Sequence, residues 1–282
     1  MSREVLRYAA FTCQGTGGNP AGVVLDAGEL ADQEMQRLAS QIGYSETAFV
    51  VRRTNEPNVY DVRFFTPVQE VPFCGHATIA AAVALAERTP ARSLQFHTRS
   101  GLVTVQTDPT EAGIVAELTS VAPRVREPEP DLVAAALAAL RWSGDDLDPD
   151  YPPRLANAGA EHLILVVGSH GRLQDLDYDF DRLAVVMQDH GLVTCQLIWP
   201  ESEDHFHSRN PFAANGVIED PATGAAAAAF GGYLRELGKI RMPAEFTISQ
   251  GVEMGRPSLL TVSVIDGEPG VLVKGAAAPI EG

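Results

Sequence analysis

The chain has 282 residues, 45% of them apolar and 21% charged, enough to bury a sizeable core as one large or two medium domains. Its formal net charge is -16 with a pI near 4.8 and no Lys/Arg cluster, which makes nucleic acid and anionic membranes poor partners. Three cysteines, Cys13, Cys74 and Cys195, lack C-x-x-C spacing and argue against a disulfide framework or a structural zinc site. The first ten residues have no signal-peptide core, and no window approaches 18 uncharged apolar residues, so the expected location is the cytoplasm.

In chain order, Leu6 to Thr12 reads as a first strand. A glycine-rich loop from Gly15 to Gly22 follows, then a strand over Val23 to Leu25. A strand after the glycines excludes a dinucleotide or P-loop fingerprint, which needs a helix there. The glycines serve a turn, and Asn19 is a candidate to line a site. Glu29 to Ile42 is an amphipathic helix with Leu30, Met35, Leu38, Ala39 and Ile42 on its apolar side, stopped by Gly43. Tyr44 to Val51 is a strand in which Glu46 stands where burial begins, either half exposed at the strand end or held in an apolar pocket with a raised pKa.

Further strands are expected over Tyr60 to Phe65, Leu94 to Thr98, Leu102 to Gln106 and Ile114 to Leu118, around an alanine-rich helix from Gly75 to Glu87. Pro123, Pro128 and Pro130, interleaved with charges, mark a domain boundary, giving domains 1–122 and 123–282 with the last strand free to return to the first domain. The second half reads as a helix over Leu132 to Arg141, an acidic loop over Asp145 to Pro153, and buried strands over His162 to Val167 and Val193 to Trp199. A helix spans Phe180 to Gln188, and a second alanine-rich helix runs from Gly224 to Leu237. Strands over Phe246 to Gly251, Ser258 to Ile265 and Val271 to Gly275 complete the chain.

The two alanine-rich helices share an approach. Glu70-Val71-Pro72-Phe73-Cys74-Gly75-His76 leads into one, and Glu219-Asp220-Pro221-Ala222-Thr223-Gly224-Ala225 leads into the other. A strand-like piece precedes each, Val62 to Pro67 and His207 to Phe212. This is a degenerate internal duplication: two like halves, each burying one helix, that could bring both helix N-termini to a shared cleft. A helix N-terminus accepts anions, because its first N–H groups lack intrahelical partners and the peptide dipoles align there. Glu46, His76 and Asp220 supply acid/base groups beside these features, a set suited to proton transfer at carbon without a metal or organic cofactor.

Ser45-Glu46-Thr47-Ala48-Phe49, Arg63 with Phe65-Thr66-Pro67, Glu70 through Thr78, Glu219 through Gly224, and Gln250-Gly251 with Met254 through Ser258 together resemble the phenazine-biosynthesis (PhzF-like) isomerase family, in that family's order. The resemblance implies an α+β, diaminopimelate-epimerase-like fold of two similar halves. Each half is a curled β-sheet around a central α-helix, with the active site in the cleft between them. It also implies a cofactor-free isomerase in which Glu46 shuttles a proton on a cyclic, carboxylate-bearing amino acid, while His76 and Asp220 orient it. Backbone N–H groups at Gly75 and Gly224 would hold a carboxylate or developing charge. Asn19, Ser45, Cys74, Thr223 and Ala225 complete the implied substrate contacts, and relatives suggest a homodimer.

Two departures stand out. Ala225 replaces a serine found in many relatives, and Lys274-Gly275 stands where a double glycine is usual. A two-thiol epimerase is the rival mechanism; Cys74 matches one thiol position, but the other holds Thr223, whose hydroxyl is too weak an acid for that role. Cys74 is then weighed as a packing residue or a substrate contact. A non-catalytic carboxylate-binding protein is the rival from another class. His205 and His207 form a His-x-His pair that a strand would place on one face as a metal edge, but no third ligand is apparent and solvated loop histidines are expected, with no metal.

Overall fold

The computed structural model describes residues 4–53, 56–89, 91–111 and 113–280, so the first three residues of the segment read as lacking a signal core lie outside it. The chain divides into two compact units, one running to Thr119 and taking back the residues from Lys274 on, the other Ser120–Val273.

The first unit opens with β1 (Leu6–Ala10), β2 (Asn19–Val24), α1 (Asp32–Ile42), β3 (Glu46–Arg52), β4 (Val59–Phe65), β5 (Glu70–Val71), α2 (Gly75–Ala86), β6 (Ser93–Thr98), β7 (Gly101–Thr110) and β8 (Gly113–Thr119). The second contains β9 (Arg124–Arg126), α3 (Pro130–Leu140), β10 (Arg154–Asn157), β11 (Glu161–Val166), α4 (His170–Gln174), α5 (Phe180–Asp189), β12 (Thr194–Pro200), β13 (His205–Phe212), β14 (Val217–Asp220), α6 (Gly224–Glu236), β15 (Ala244–Gln250) and β16 (Ser258–Val264). The last strand, β17 (Leu272–Pro279), carries the chain back into the first unit.

In the first unit β1 pairs antiparallel with β2, β2 parallel with β3, β3 antiparallel with β4, β4 parallel with β6, and β6 antiparallel with β7. β7 pairs with β8, β8 with β17, and β17 with β1, so eight strands close into a barrel. α2 packs against β1, β2, β3, β7 and β8. A helix that is apolar all round must be enclosed, and Ile79 to Ala84 have no exposed surface at all. The alanines keep α2 slim enough for strands to pass on every side. Each larger side chain it buries, such as Ile79 or Val83, contributes roughly 1.5–3 kcal/mol.

The second unit repeats the same succession. β10 and β11 are antiparallel, β11 and β12 parallel, β12 and β13 antiparallel, β13 and β15 parallel, β15 and β16 antiparallel. Parallel neighbours need a crossover, and α2 and α6 are the crossovers of the two β4–β6-type connections. α6 packs on β9, β10, β11 and β16, with Ala226 to Leu234 buried. Gly232 has no side chain because a Cβ there would meet Pro123 Cβ at 2.3 Å. A separate core gathers Leu132, Leu140, Leu163, Leu165, Leu183, Met187 and Leu197 under α3 and α5.

Three local expectations are corrected. β2 begins at Asn19 rather than Val23, because Asn19 and Pro20 find partners in Ala10 and Ala9 of β1. Pro20 precedes the first residue of β2 paired to β3, so its missing N–H interrupts no ladder there. α1 begins at Asp32 rather than Glu29: Leu30 N–H turns back to Ala27 O, and the Glu34 carboxylate accepts from Ala31 N–H at 3.1 Å. His205 and His207 lie on β13, half-buried, not in a solvated loop. Among the described residues no helix is long and apolar enough to cross a membrane.

Candidate active site

The parallel register Ala21↔Glu46 brings the starts of β2 and β3 to the same rim of the first unit, which places Asn19, Ser45 and Glu46 beside one another. α2 also begins there. Its N-cap, Cys74, is extended at φ -146 and ψ 118, and the Thr78 hydroxyl donates to Cys74 O at 2.7 Å. His76, the second helical residue, is held among these groups. Its Nδ1 lies 3.3 Å from Asn19 Nδ2 and 3.4 Å from Cys74 Sγ, and its Nε2 lies 3.4 Å from both Ser45 Oγ and Glu46 Oε2. An amide N–H donating to Nδ1 leaves the imidazole proton on Nε2, facing the carboxyl.

Glu46 is half-buried, its side chain 14% exposed. Burial raises its pKa, and hydrogen bonds from the Ser45 hydroxyl and the Cys74 thiol pull partly in the other direction. A carboxyl that keeps its proton above the ordinary range can give and take a proton near neutral pH. Of the other thiols, Cys195 is fully enclosed and pushed up to about 12, which makes it inert.

In the second unit Asp220 closes β14 and is 8% exposed. The Thr223 hydroxyl donates to Asp220 Oδ2 at 2.5 Å, so it is committed to the carboxylate. Gly224 opens α6 and is buried, and Ala225 is half-buried beside it. The structure thus gathers the expected residues into two groups. Asn19, Ser45, Glu46, Cys74, Gly75 and His76 lie in the first unit, and Asp220, Thr223, Gly224 and Ala225 in the second.

Helix starts differ in a way that bears on ligands. α1 carries Asp32 and Glu34 in its first turn, α3 carries Asp131, and α4 and α5 are capped by Ser169 and Asp179. α2 and α6 have neither a side-chain cap nor an acid in the first turn. Their N-terminal dipoles are therefore not offset by the helix's own residues.

Three bracing residues had no role assigned from the sequence, although Gln250 and Gly251 belong to the motifs that carry the family resemblance. Gln250, 2% exposed, donates from Nε2 to Asp220 O at 2.6 Å and to Thr223 Oγ1 at 3.1 Å, and accepts from Thr223 N–H at 3.2 Å. Its signal was a polar residue on the buried alternation Phe246, Ile248, Gln250. Gly251 follows at φ 73, where a Cβ would meet Pro221 O at 2.7 Å. Arg209 grips Glu219 with both forks, at 3.0 and 2.7 Å, just as Arg63 grips Glu70 at 2.8 and 2.7 Å before α2. The donor atoms of Glu46, Cys74 and His76 also lie within 4.8 Å of one another, a set able to take a soft divalent cation.

The profile of the family described as phenazine biosynthesis-like protein matches residues 8–282. The chain is 31% identical over 271 residues to an uncharacterized isomerase of Bacillus subtilis, covering 93% of this chain and 90% of that one. It is 32% identical over 257 residues to the trans-2,3-dihydro-3-hydroxyanthranilate isomerase of Pseudomonas chlororaphis, covering 89% and 86%. The crystal structure of a PhzF-family phenazine biosynthesis protein from Bacillus anthracis superposes with a TM-score of 0.88 at 28% identity, covering 98% of this chain and 96% of that one. The fold is accordingly epimerase-like, and the chain belongs to the phenazine biosynthesis-like family of isomerases.

Proposed function

We propose that this isomerase moves a proton between two carbons of a small carboxylate-bearing ring, a cyclic amino acid, with Glu46 as the acid/base and no cofactor in the step. The observation that carries the reading is the largely enclosed Glu46 carboxyl, its pKa raised by desolvation, 3.4 Å from an imidazole at an uncapped helix start. Glu46 takes a proton from one carbon, the electron pair spreads into the conjugated ring and its carboxylate, and the same carboxylic acid returns the proton to another carbon. Atoms and electrons balance without an oxidant. First-turn N–H groups of α2 hold the developing negative charge, and His76 Nε2–H fixes the carboxyl's orientation.

The proposal extends to the second unit, where the start of α6 is a cradle for a carboxylate and Asp220 a partner for an amino group. Ala225, which carries no hydroxyl, makes this anion cradle depend on backbone donors alone. Cys74 acts as a hydrogen-bond donor to Glu46 rather than as one of two thiol bases, since the matching position is Thr223, bonded to Asp220.

The test is exchange of solvent deuterium. The protein is incubated in D2O with trans-2,3-dihydro-3-hydroxyanthranilate, the compound named for the Pseudomonas relative, and with a panel of cyclic and linear amino acids. Carbon-bound deuterium is read by NMR. Glu46→Gln is expected to slow incorporation by roughly 10²- to 10⁴-fold while substrate still binds. Undiminished incorporation in that variant removes Glu46 as the base. Binding without exchange in the unmodified protein identifies a carboxylate-binding protein instead.

A further inference from the structure

The connection between β12 and β13 brings together a group of side chains that the proposed reaction does not use. His205 and His207 stand two residues apart on one face of β13, and Glu201 leaves the end of β12 across the tight loop between them. The loop is fixed by its backbone: Glu201 N–H and Ser202 N–H both donate to His205 O, at 3.0 and 3.1 Å. Glu201 Oε2 lies 2.7 Å from His207 Nε2 and 3.5 Å from His205 Nε2. One ligand atom from each of the three falls within 4.8 Å of the others.

The rings are also oriented. Thr247 Oγ1, on β15, lies 2.6 Å from His205 Nδ1 and 3.3 Å from Asp204 O, so it can give its proton to Asp204 O and accept from the Nδ1–H tautomer of the imidazole. In that tautomer the Nε2 lone pair is directed at Glu201 and the Ser249 hydroxyl, 3.2 Å away. His207 is walled by Trp199, its ring centroid at 5.3 Å, and by His170 at 4.6 Å, which itself stacks on Trp199 at 4.4 Å and 15°. A ligating imidazole whose other nitrogen donates to a fixed oxygen is the usual companion of a metal.

From this arrangement we infer that Glu201, His205 and His207 form a binding site for one divalent ion of the zinc class on the surface of the second unit. Bonds of about 2.0–2.2 Å in a tetrahedron put donor atoms roughly 3.3–3.6 Å apart. The Glu201–His205 separation already has that value, and the Glu201–His207 hydrogen bond opens by several tenths of an ångström as the metal replaces its proton. Ser249 gives up its contact with His205 Nε2, and solvent fills the fourth position beside the exposed Glu201. Two nitrogens and one carboxylate oxygen select zinc, cobalt or nickel over magnesium and calcium. The sequence showed the histidine pair but not the third donor, because Glu201 reaches it only across the turn.

The experiment uses the full chain stripped with a chelator, titrated with zinc against a chromogenic competitor and with cobalt for its visible spectrum. One equivalent is expected to bind at micromolar affinity or tighter, without a thiolate charge-transfer band, and to raise the Tm. His207→Ala and Glu201→Gln should each weaken zinc at least tenfold and remove the Tm rise, with unchanged circular dichroism. Thr247→Val, which touches no metal, should weaken it roughly 10- to 100-fold. Cys74→Ala controls for the Glu46–Cys74–His76 trio and should leave this binding intact. Millimolar or weaker affinity, binding untouched by the His207 and Glu201 changes, or loss of binding with a thiolate band in the Cys74 comparison overturns the site.

Discussion

Glu46 illustrates how one residue is placed under opposing demands. Its folded pKa is raised by burial, so the folded chain holds a proton that the unfolded chain has released in the interval between the two pKa values. Stability from that proton is full below the unfolded pKa and is lost as pH rises through the folded one. Glu46→Gln, which keeps shape and polarity without the charge, should therefore leave stability near the unmodified level in acid and raise it above that level at neutral and alkaline pH. Urea midpoints across pH 4 to 8 check this. A variant that is inactive yet more stable at pH 8 is the expected outcome.

His162 titrates with the reverse sign. It is fully buried, donates or accepts through Nδ1 at 2.8 Å from Thr194 Oγ1, and burial lowers its pKa to about 3. The unfolded chain takes up a proton below about 6.5, so stability present above that pH falls as pH drops toward 3, by at most about 1.4 kcal/mol per pH unit. Replacing both partners, His162→Leu with Thr194→Val, should flatten that acid limb in the same urea series. The residues proposed for the site, Glu46, His76 and Asp220, could be picked from the sequence as acid/base types at a strand end or beside a glycine-containing loop. The role of Gln250 could not be, since it acts as a tether only when β15 lies under the loop it holds.

At the scale of elements, the loop before each buried helix is pinned by an arginine and a glutamate. Arg209 and Glu219 are 11% and 4% exposed, and Arg209 Nη1 also donates to Gln174 O at 2.9 Å. Arg209→Ala leaves a carboxylate enclosed without its cation, and a loss of about 3–5 kcal/mol in urea unfolding is expected. Arg209→Met with Glu219→Leu should recover most of it. The alanine-rich helices and the prolines before them were readable from composition and spacing. Element ends were less so, because the start of α1 depends on Glu34 reaching back to Ala31, and the start of β2 on a partner strand. The histidines of β13 read as loop because their alternation is polar; Thr247, Ser249 and Trp199, which line that face, come from other strands.

For the whole molecule, the barrel around α2 is completed only by β17, whose Ala277 to Pro279 pair with Ala10 to Tyr8. A chain ending at Val271 should keep the second unit's secondary structure while the amides of α2 lose protection in hydrogen exchange; protection equal to that of the full chain would show that β17 is dispensable. The same return has a consequence for synthesis. The strands of the first unit leave the ribosome early, but the whole of Ser120–Val273 must follow before the closing strand exists. At about 5–20 residues per second that is a wait of roughly 8–30 s. During it the gap between β1 and β8 stays open on a nascent chain. The second unit ends at Val273, inside that same strand, so both units gain their last segments from one short stretch of synthesis.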